Sequence, residues 1–345
     1  MFDNYTLMVL KGAQLDKAES LLSRLGLVLE EDVEYTVGLF NGDELIGTGS
    51  LSGNILKCIG VDPKFQEGGL TTKIVNELIS YQNQRGIHHL FLFTTPTNAA
   101  LFEGLGFREV ERSERLFVLL EIGPHGLKGY LEEMHKHKRA GNNGAVVVNC
   151  NPFTLGHQYL IEKAAAEVDN LYVFVVREDR SLFPYEARYE LIEKGVSHIR
   201  NAYVLSGGEY IISNSTFPSY FLRNEDNVEV VKQQTVLDIR IFARHIAPKL
   251  GIKTRFVGTE PYCETTSSYN NTMKAVLPEF GIELVEIVRK GIGEDCISAS
   301  AVRDEIRNGR WDRIEKLVPK TTYDFLRSLG ATEIIESVKR SDSRH

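Results

Sequence analysis

The chain has 345 residues, 42% hydrophobic and 25% charged, with a formal net charge of −7. This length predicts two domains of ordinary globular composition, and the acidic balance argues against an extended nucleic-acid surface. No apolar run approaches the roughly 20 residues of a membrane span, and Cys58, Cys150, Cys263 and Cys296 lack the spacing of a zinc site or disulfide framework.

In the first half, Lys17 to Leu29 carries Leu21, Leu22, Leu25 and Leu29 on one side, which predicts an amphipathic helix. Tyr35–Phe40, Glu44–Ser50 and Ile55–Val61 alternate or run apolar between turn residues, which predicts antiparallel strands. Gly68 and Gly69 open a helix bearing Ile74, Val75, Leu78 and Ile79. A strand (88–94), a short helix (98–105) and a last strand (116–121) follow. The loop Gln66, Glu67, Gly68, Gly69, Leu70, Thr71 would offer backbone N–H groups to a pyrophosphate at that helix start.

Residues 126–143 contain the basic run His135–Arg139 and predict a domain junction with a helix near 128–137. His135 and His137 lack a third ligand and predict a solvated face rather than a metal site. Beyond it, Ala145–Val148 predicts a buried strand, Asn151-Pro152 a tight turn, and Thr154 the cap of a helix carrying Leu160, Ile161, Ala164 and Ala165. Unpaired N–H groups and the helix dipole make such a junction an anion site. Gly156 would let a phosphate approach the backbone, while Thr154 and His157, one turn apart, would both donate to its oxygens.

Further strands are expected at 171–176, 202–205, 255–257 and 283–288, with helices at 184–194, 233–250 and 271–277. This alternation predicts a doubly wound parallel sheet with ligands beyond its carboxyl edge. The stretch 297–303, I-S-A-S-A-V-R, places Ser298 and Ser300 at a helix start with Arg303 a turn later, a set suited to phosphates. Arg177 and Arg188 are further candidates for a phosphate or carboxylate.

Three resemblances attach to these stretches. N-P-F-T-L-G-H (151–157) with I-S-A-S-A-V-R is similar to the paired motifs of HIGH-type nucleotidyltransferases. That resemblance implies ATP with Mg²⁺ held by Asn151, Phe153, Thr154, Gly156, His157, Ser298, Ser300 and Arg303, with His157, Thr154 and Arg303 catalytic and Gly258 and Glu260 beside the nucleoside or second substrate. The first half (1–125) resembles the GNAT acetyltransferase fold, an α+β domain with a mixed sheet, which implies that the 66–71 loop binds a coenzyme A-like group. Phe102 stands where many such enzymes place a tyrosine acid, and phenylalanine cannot protonate a leaving thiolate. A GNAT-like half joined to a T-x-G-H half (144–345) resembles the citrate lyase ligases. Membership there would imply a cytoplasmic enzyme that makes acetyl-AMP from ATP and acetate. The acetyl group would then pass to the CoA-like prosthetic thiol on the acyl-carrier subunit of citrate lyase, without membrane or nucleic-acid partner. A tRNA-directed acetate ligase, a coenzyme-pathway adenylyltransferase and a CoA-sensing regulator are the alternatives.

Overall fold

A computed structural model describes residues 5–65, 69–113, 116–177, 181–213, 227–260, 264–292 and 295–341. By internal contacts the chain forms two compact units, Met1–Gly129 with Pro218–Leu237, and Tyr130–Phe217 with Asp238–His345.

The first unit is a seven-stranded sheet in the order β1-β2-β3-β4-β5-β7-β6. Its strands are β1 (Tyr5–Val9), β2 (Tyr35–Asn41), β3 (Glu44–Ser52), β4 (Ile55–Val61), β5 (Leu90–Thr94), β6 (Arg108–Arg112) and β7 (Val118–Ile122), with helices α1 (Gln14–Arg24), α2 (Leu70–Gln84) and α3 (Pro96–Glu103). All neighbours are antiparallel except β4 and β5, which pair in parallel only at Ile55–Phe91 and Leu56–Leu92. Ile74, Val75 and Leu78 of α2 are fully buried with Val37, Leu39, Leu56 and Leu92 of the strands. The expected strands at 35–40, 44–50 and 55–61 are present. The first helix begins three residues earlier than its leucine stripe suggests and ends at Arg24. Two edge strands, β1 and the charged R-E-V-E-R of β6, had no hydrophobic alternation to announce them.

The junction helix α4 spans Gly126–Lys136. The second unit's main sheet has five parallel strands in the order β10-β9-β8-β11-β12: β8 (Asn143–Val148), β9 (Asn170–Val175), β10 (Ala202–Ser206), β11 (Ile252–Gly258) and β12 (Glu283–Ile287). Helices α5 (Leu155–Ala166) and α6 (Tyr185–Val196) cover one face, where Ile161, Ala164, Leu191 and Ile192 pack on Val146, Val173 and Phe256. The helix α7 (Asn227–Arg240), grouped up to Leu237 with the first unit, continues through a π-helical turn (Ile241–Ile246) into α8 (Ala247–Leu250), and α9 (Glu264–Val276) follows β11. The order reverses between β8 and β11, the switch point at which an open α/β sheet presents its ligand crevice. A small hairpin, β13 (Gly291–Ile292) and β14 (Asp295–Cys296), leads into helices α10 (Ala299–Arg307), α11 (Trp311–Leu317), α12 (Lys320–Leu326) and α13 (Thr332–Arg340). These last helices bury Val302, Ile306, Ile314, Leu326 and Val338 around Phe183. Among the described residues no helix is long and apolar enough to cross a membrane.

Candidate active site

Thr154 caps α5 as its sequence predicts: its Oγ1 accepts the His157 N–H at 3.3 Å. His157 answers through its ring, because Nδ1 lies 3.1 Å from the Thr154 backbone N and 2.9 Å from Thr154 Oγ1. A backbone N–H can only donate, so Nδ1 is the acceptor and the neutral ring carries its proton on Nε2. Burial, with the nearby positive charge of Arg289 as a second cause, pushes His157 down to about 4. The ring is therefore neutral at physiological pH and offers one N–H donor at the mouth of the helix. Thr154 itself is fully buried and bonded within this cap. The two side chains differ from the expectation that both face a phosphate: Thr154 Oγ1 is taken up inside the cap, where it helps fix the tautomer, while His157 Nε2 takes no part in the cap.

Gly156 also differs from expectation. A Cβ there would stand 2.7 Å from the carbonyl oxygen of Ile297. The missing side chain is thus what lets α5 dock against the residue before Ser298, and the two motifs meet backbone to backbone. Ser298 caps α10 by accepting the Ala301 N–H at 3.1 Å, and its hydroxyl lies 3.0 Å from that of Ser300. Arg303, 3% exposed, reaches back to donate to the Asn151 carbonyl. Burial lowers its pKa from the usual arginine value, with Arg307 adding to the effect. T-L-G-H and the segment from Ser298 to Arg303 therefore meet beside the switch point, with Thr154 and Arg303 buried in the contact.

The remaining expected residues divide. Phe153 is buried against Gly195 and lies nearly parallel to His157, with ring centroids 6.0 Å apart. Asn151 is also buried, and its Oδ1 accepts the Phe183 N–H at 3.0 Å, so these two shape the turn from behind. Arg188 is wholly buried and donates to the carbonyls of Phe183 (2.9 Å), Asn149 (3.0 Å) and Val176 (2.7 Å). It acts as a strut tying strand ends together, which corrects its expected contact with substrate. Arg177 is exposed at the end of β9. Glu260 is engaged with the Arg289 guanidinium, whose Nε donates to the Thr259 carbonyl at 2.6 Å beside Gly258. Arg289, just past β12 and close enough to depress His157, was missed because it belongs to no motif. Its place after the carboxyl end of a parallel strand was the available signal.

In the first unit, Gln66, Glu67 and Gly68 lie outside the described residues. Gly69 takes φ 70° as the residue before α2, Leu70 is buried in the core, and Thr71 is half-buried. Phe102 packs in that core with its ring edge-on to Phe107, centroids 6.2 Å apart, and has no proton to give.

Residues 11–107 match the GNAT acetyltransferase family, and residues 143–326 match the citrate lyase ligase C-terminal domain family. The citrate (pro-3S)-lyase ligase of Klebsiella pneumoniae is 39% identical over 338 residues, 94% of this chain and 98% of its own. That of Haemophilus influenzae is 36% identical over 324 residues, covering 92% and 96%. The enzyme of Escherichia coli K12 is 40% identical over 309 residues, covering 88% and 87%. Fold, paired motifs and near full-length similarity agree, and the chain belongs to the citrate lyase ligase family.

Proposed function

We propose that the second unit joins ATP to acetate, forming acetyl-AMP and pyrophosphate, and that the acetyl group then passes to the CoA-like prosthetic thiol on the acyl-carrier subunit of citrate lyase. The observation that carries this reading is the docking of Gly156 on Ile297, closed by the Arg303 to Asn151 bond, which brings two helix N-termini to one edge. Acetate is ionised at neutral pH and attacks the α-phosphorus without a general base. Positioning and charge neutralisation supply the rate. His157 donates from Nε2 to a phosphate oxygen, the α5 and α10 N-termini face the triphosphate, and Arg289 adds positive charge. Among the described residues no three His, Cys, Asp or Glu side chains converge as a metal cage. Mg²⁺ would be held by the triphosphate oxygens and would offset their charge. The first unit binds the CoA-like arm through the 66–71 loop, and Phe102 assigns it docking rather than acid catalysis.

The test is acetate-dependent exchange of labelled pyrophosphate into ATP with Mg²⁺. Wild type is expected to exchange, and His157→Ala to lose at least about 100-fold, the scale of a lost preorganised donor. Exchange that ignores acetate, or none even with the thiol-form carrier protein present, returns the chain to the coenzyme adenylyltransferases.

A further inference from the structure

β11 alternates faces. Phe256 joins the core under α5, so Arg255 points to the opposite side of the sheet. There its guanidinium lies over the Phe242 ring, 4.5 Å from the centroid, and the residue is 4% exposed. Its Nε and Nη1 have no hydrogen-bond acceptor. The nearest carboxylate, Asp238, is engaged elsewhere, accepting from the Tyr269 hydroxyl at 2.5 Å and from the Ile212 N–H at 2.8 Å. Burial pushes Arg255 down only to about 10, with Tyr269 and Asp238 opposing the fall, so it is charged at neutral pH. A charge buried there without an acceptor is destabilising.

The guanidinium borders a cavity lined by Ile211, Ile239, Phe242, Met273 and Leu277 together with Asp238 and Tyr269. Its open space is about 10 Å³, room for one water or for the head of a small anion. We propose that this cavity is a binding site for a small aliphatic monocarboxylate. The guanidinium fork matches two carboxylate oxygens, and the aliphatic wall takes a hydrogen or methyl group. The flexible Met273 gives way to admit the methyl. A phosphate dianion is disfavoured, because it would sit near the Asp238 charge in a largely apolar chamber. The size favours formate and acetate over butyrate. Whether the bound acid is the one activated at the α5 edge, an identity that rests on the function proposed above, or a separate effector is a second question. The binding itself does not depend on that function.

The experiment is saturation-transfer NMR of formate, acetate and butyrate with the full chain, without ATP, on wild type, Arg255→Met and Arg255→Lys. Wild type is expected to bind formate and acetate, and Arg255→Met to lose them while unfolding no more easily than wild type, since an unpaired buried charge has been replaced by a side chain of similar length. If Arg255→Met does not fold, Arg255→Lys decides. It keeps the charge without the fork and should weaken acetate at least about tenfold. Pyrophosphate exchange then separates the sources. A raised KM for acetate in the variant identifies the substrate acid, and an unchanged KM identifies an effector. No acetate signal on wild type, or an equal signal on the decisive variant, overturns the proposal and leaves an ordered water beside Arg255. Exchange by wild type in that case would leave the adenylation reading standing.

Discussion

Lys57 on β4 and Arg255 on β11 are both strand cations with almost no exposure, 3% and 4%, yet their surroundings are opposite. Lys57 is closed in by its own unit: Nζ lies 2.9 Å from Glu30 and 3.0 Å from Asp32. Burial pushes Glu30 up to about 7 despite Lys57. Asp32 is also opposed by burial, but the hydrogen bond and charge of Lys57 prevail and hold it below the usual carboxylate range. Near neutrality the trio therefore balances one cation against one full and one partial negative charge. Arg255 has no such closure, and Arg289 presses its charge on His157 across the edge of the sheet. Lys57 is thus matched by two carboxylates within a few ångströms, and Arg289 by Glu260, whereas the Arg255 Nε and Nη1 groups meet no acceptor.

Breaking the closed cluster gives the largest effect on stability. Lys57→Met strands two acids and is expected to cost about 3 kcal/mol at pH 8, the lower end of the range for removing one partner of a buried pair. The sign with pH follows from Glu30. A carboxyl raised in the folded state lends stability that is full below its unfolded value of 4.5 and is lost as pH rises through about 7. The penalty of Lys57→Met must therefore shrink as pH falls towards 4.5, as the acids left behind take up protons. Urea unfolding across that range checks it. A penalty independent of pH would mean that the cluster acts by packing rather than charge. Pyrophosphate exchange by the second unit should persist wherever the variant is folded.

Gly156→Ala tests the opposite kind of contact, one made by backbone rather than charge. The added Cβ meets the Ile297 oxygen at 2.7 Å, and a carbonyl in a hairpin-to-helix junction cannot rotate away as a side-chain tip would. Overpacking of this kind costs about 1–3 kcal/mol. Here it should also part α5 from α10, so exchange is expected to fall by more than stability alone explains. Wild-type exchange rates in Gly156→Ala would show that the two motifs act without this docking.

How much of this was legible depended on range along the chain. The α5 cap was readable because Thr154, Gly156 and His157 are local and their meaning is set by one helical turn. The Ser298 cap was readable for the same reason. What joins them was not, because Arg303 and Asn151 are 152 residues apart and no periodicity links them. Glycine in T-x-G-H reads as room for a phosphate until Ile297 is seen in that room. In the sequence Arg188 is only a candidate for a phosphate or carboxylate, since no local pattern marks a buried arginine. Its burial under three carbonyls is a tertiary fact. The closing helices α11, α12 and α13 were not anticipated either. They are short, and their apolar residues are completed only by packing around Phe183.

The smallest expected effect is the most diagnostic of electrostatic coupling. Arg289→Gln keeps a side chain able to donate to the Thr259 carbonyl but removes the charge facing His157. Burial is the larger cause of the depressed His157 value and Arg289 the second, so the variant should raise that value from about 4 only part of the way to the ordinary 6.5. The histidine's C–H resonances titrated by NMR report this directly. An unchanged midpoint would show that the two do not interact. Stability follows with a definite sign. A histidine depressed in the folded state makes the unfolded chain take up its proton first, so stability falls as pH drops from 6.5 towards 4. Arg289→Gln should narrow that window from its lower end. Under the proposed function the acid limb of pyrophosphate exchange should move upward with the NMR midpoint, because only the neutral ring can accept at Nδ1 from the Thr154 N–H and so keep the orientation which that proposal requires of Nε2.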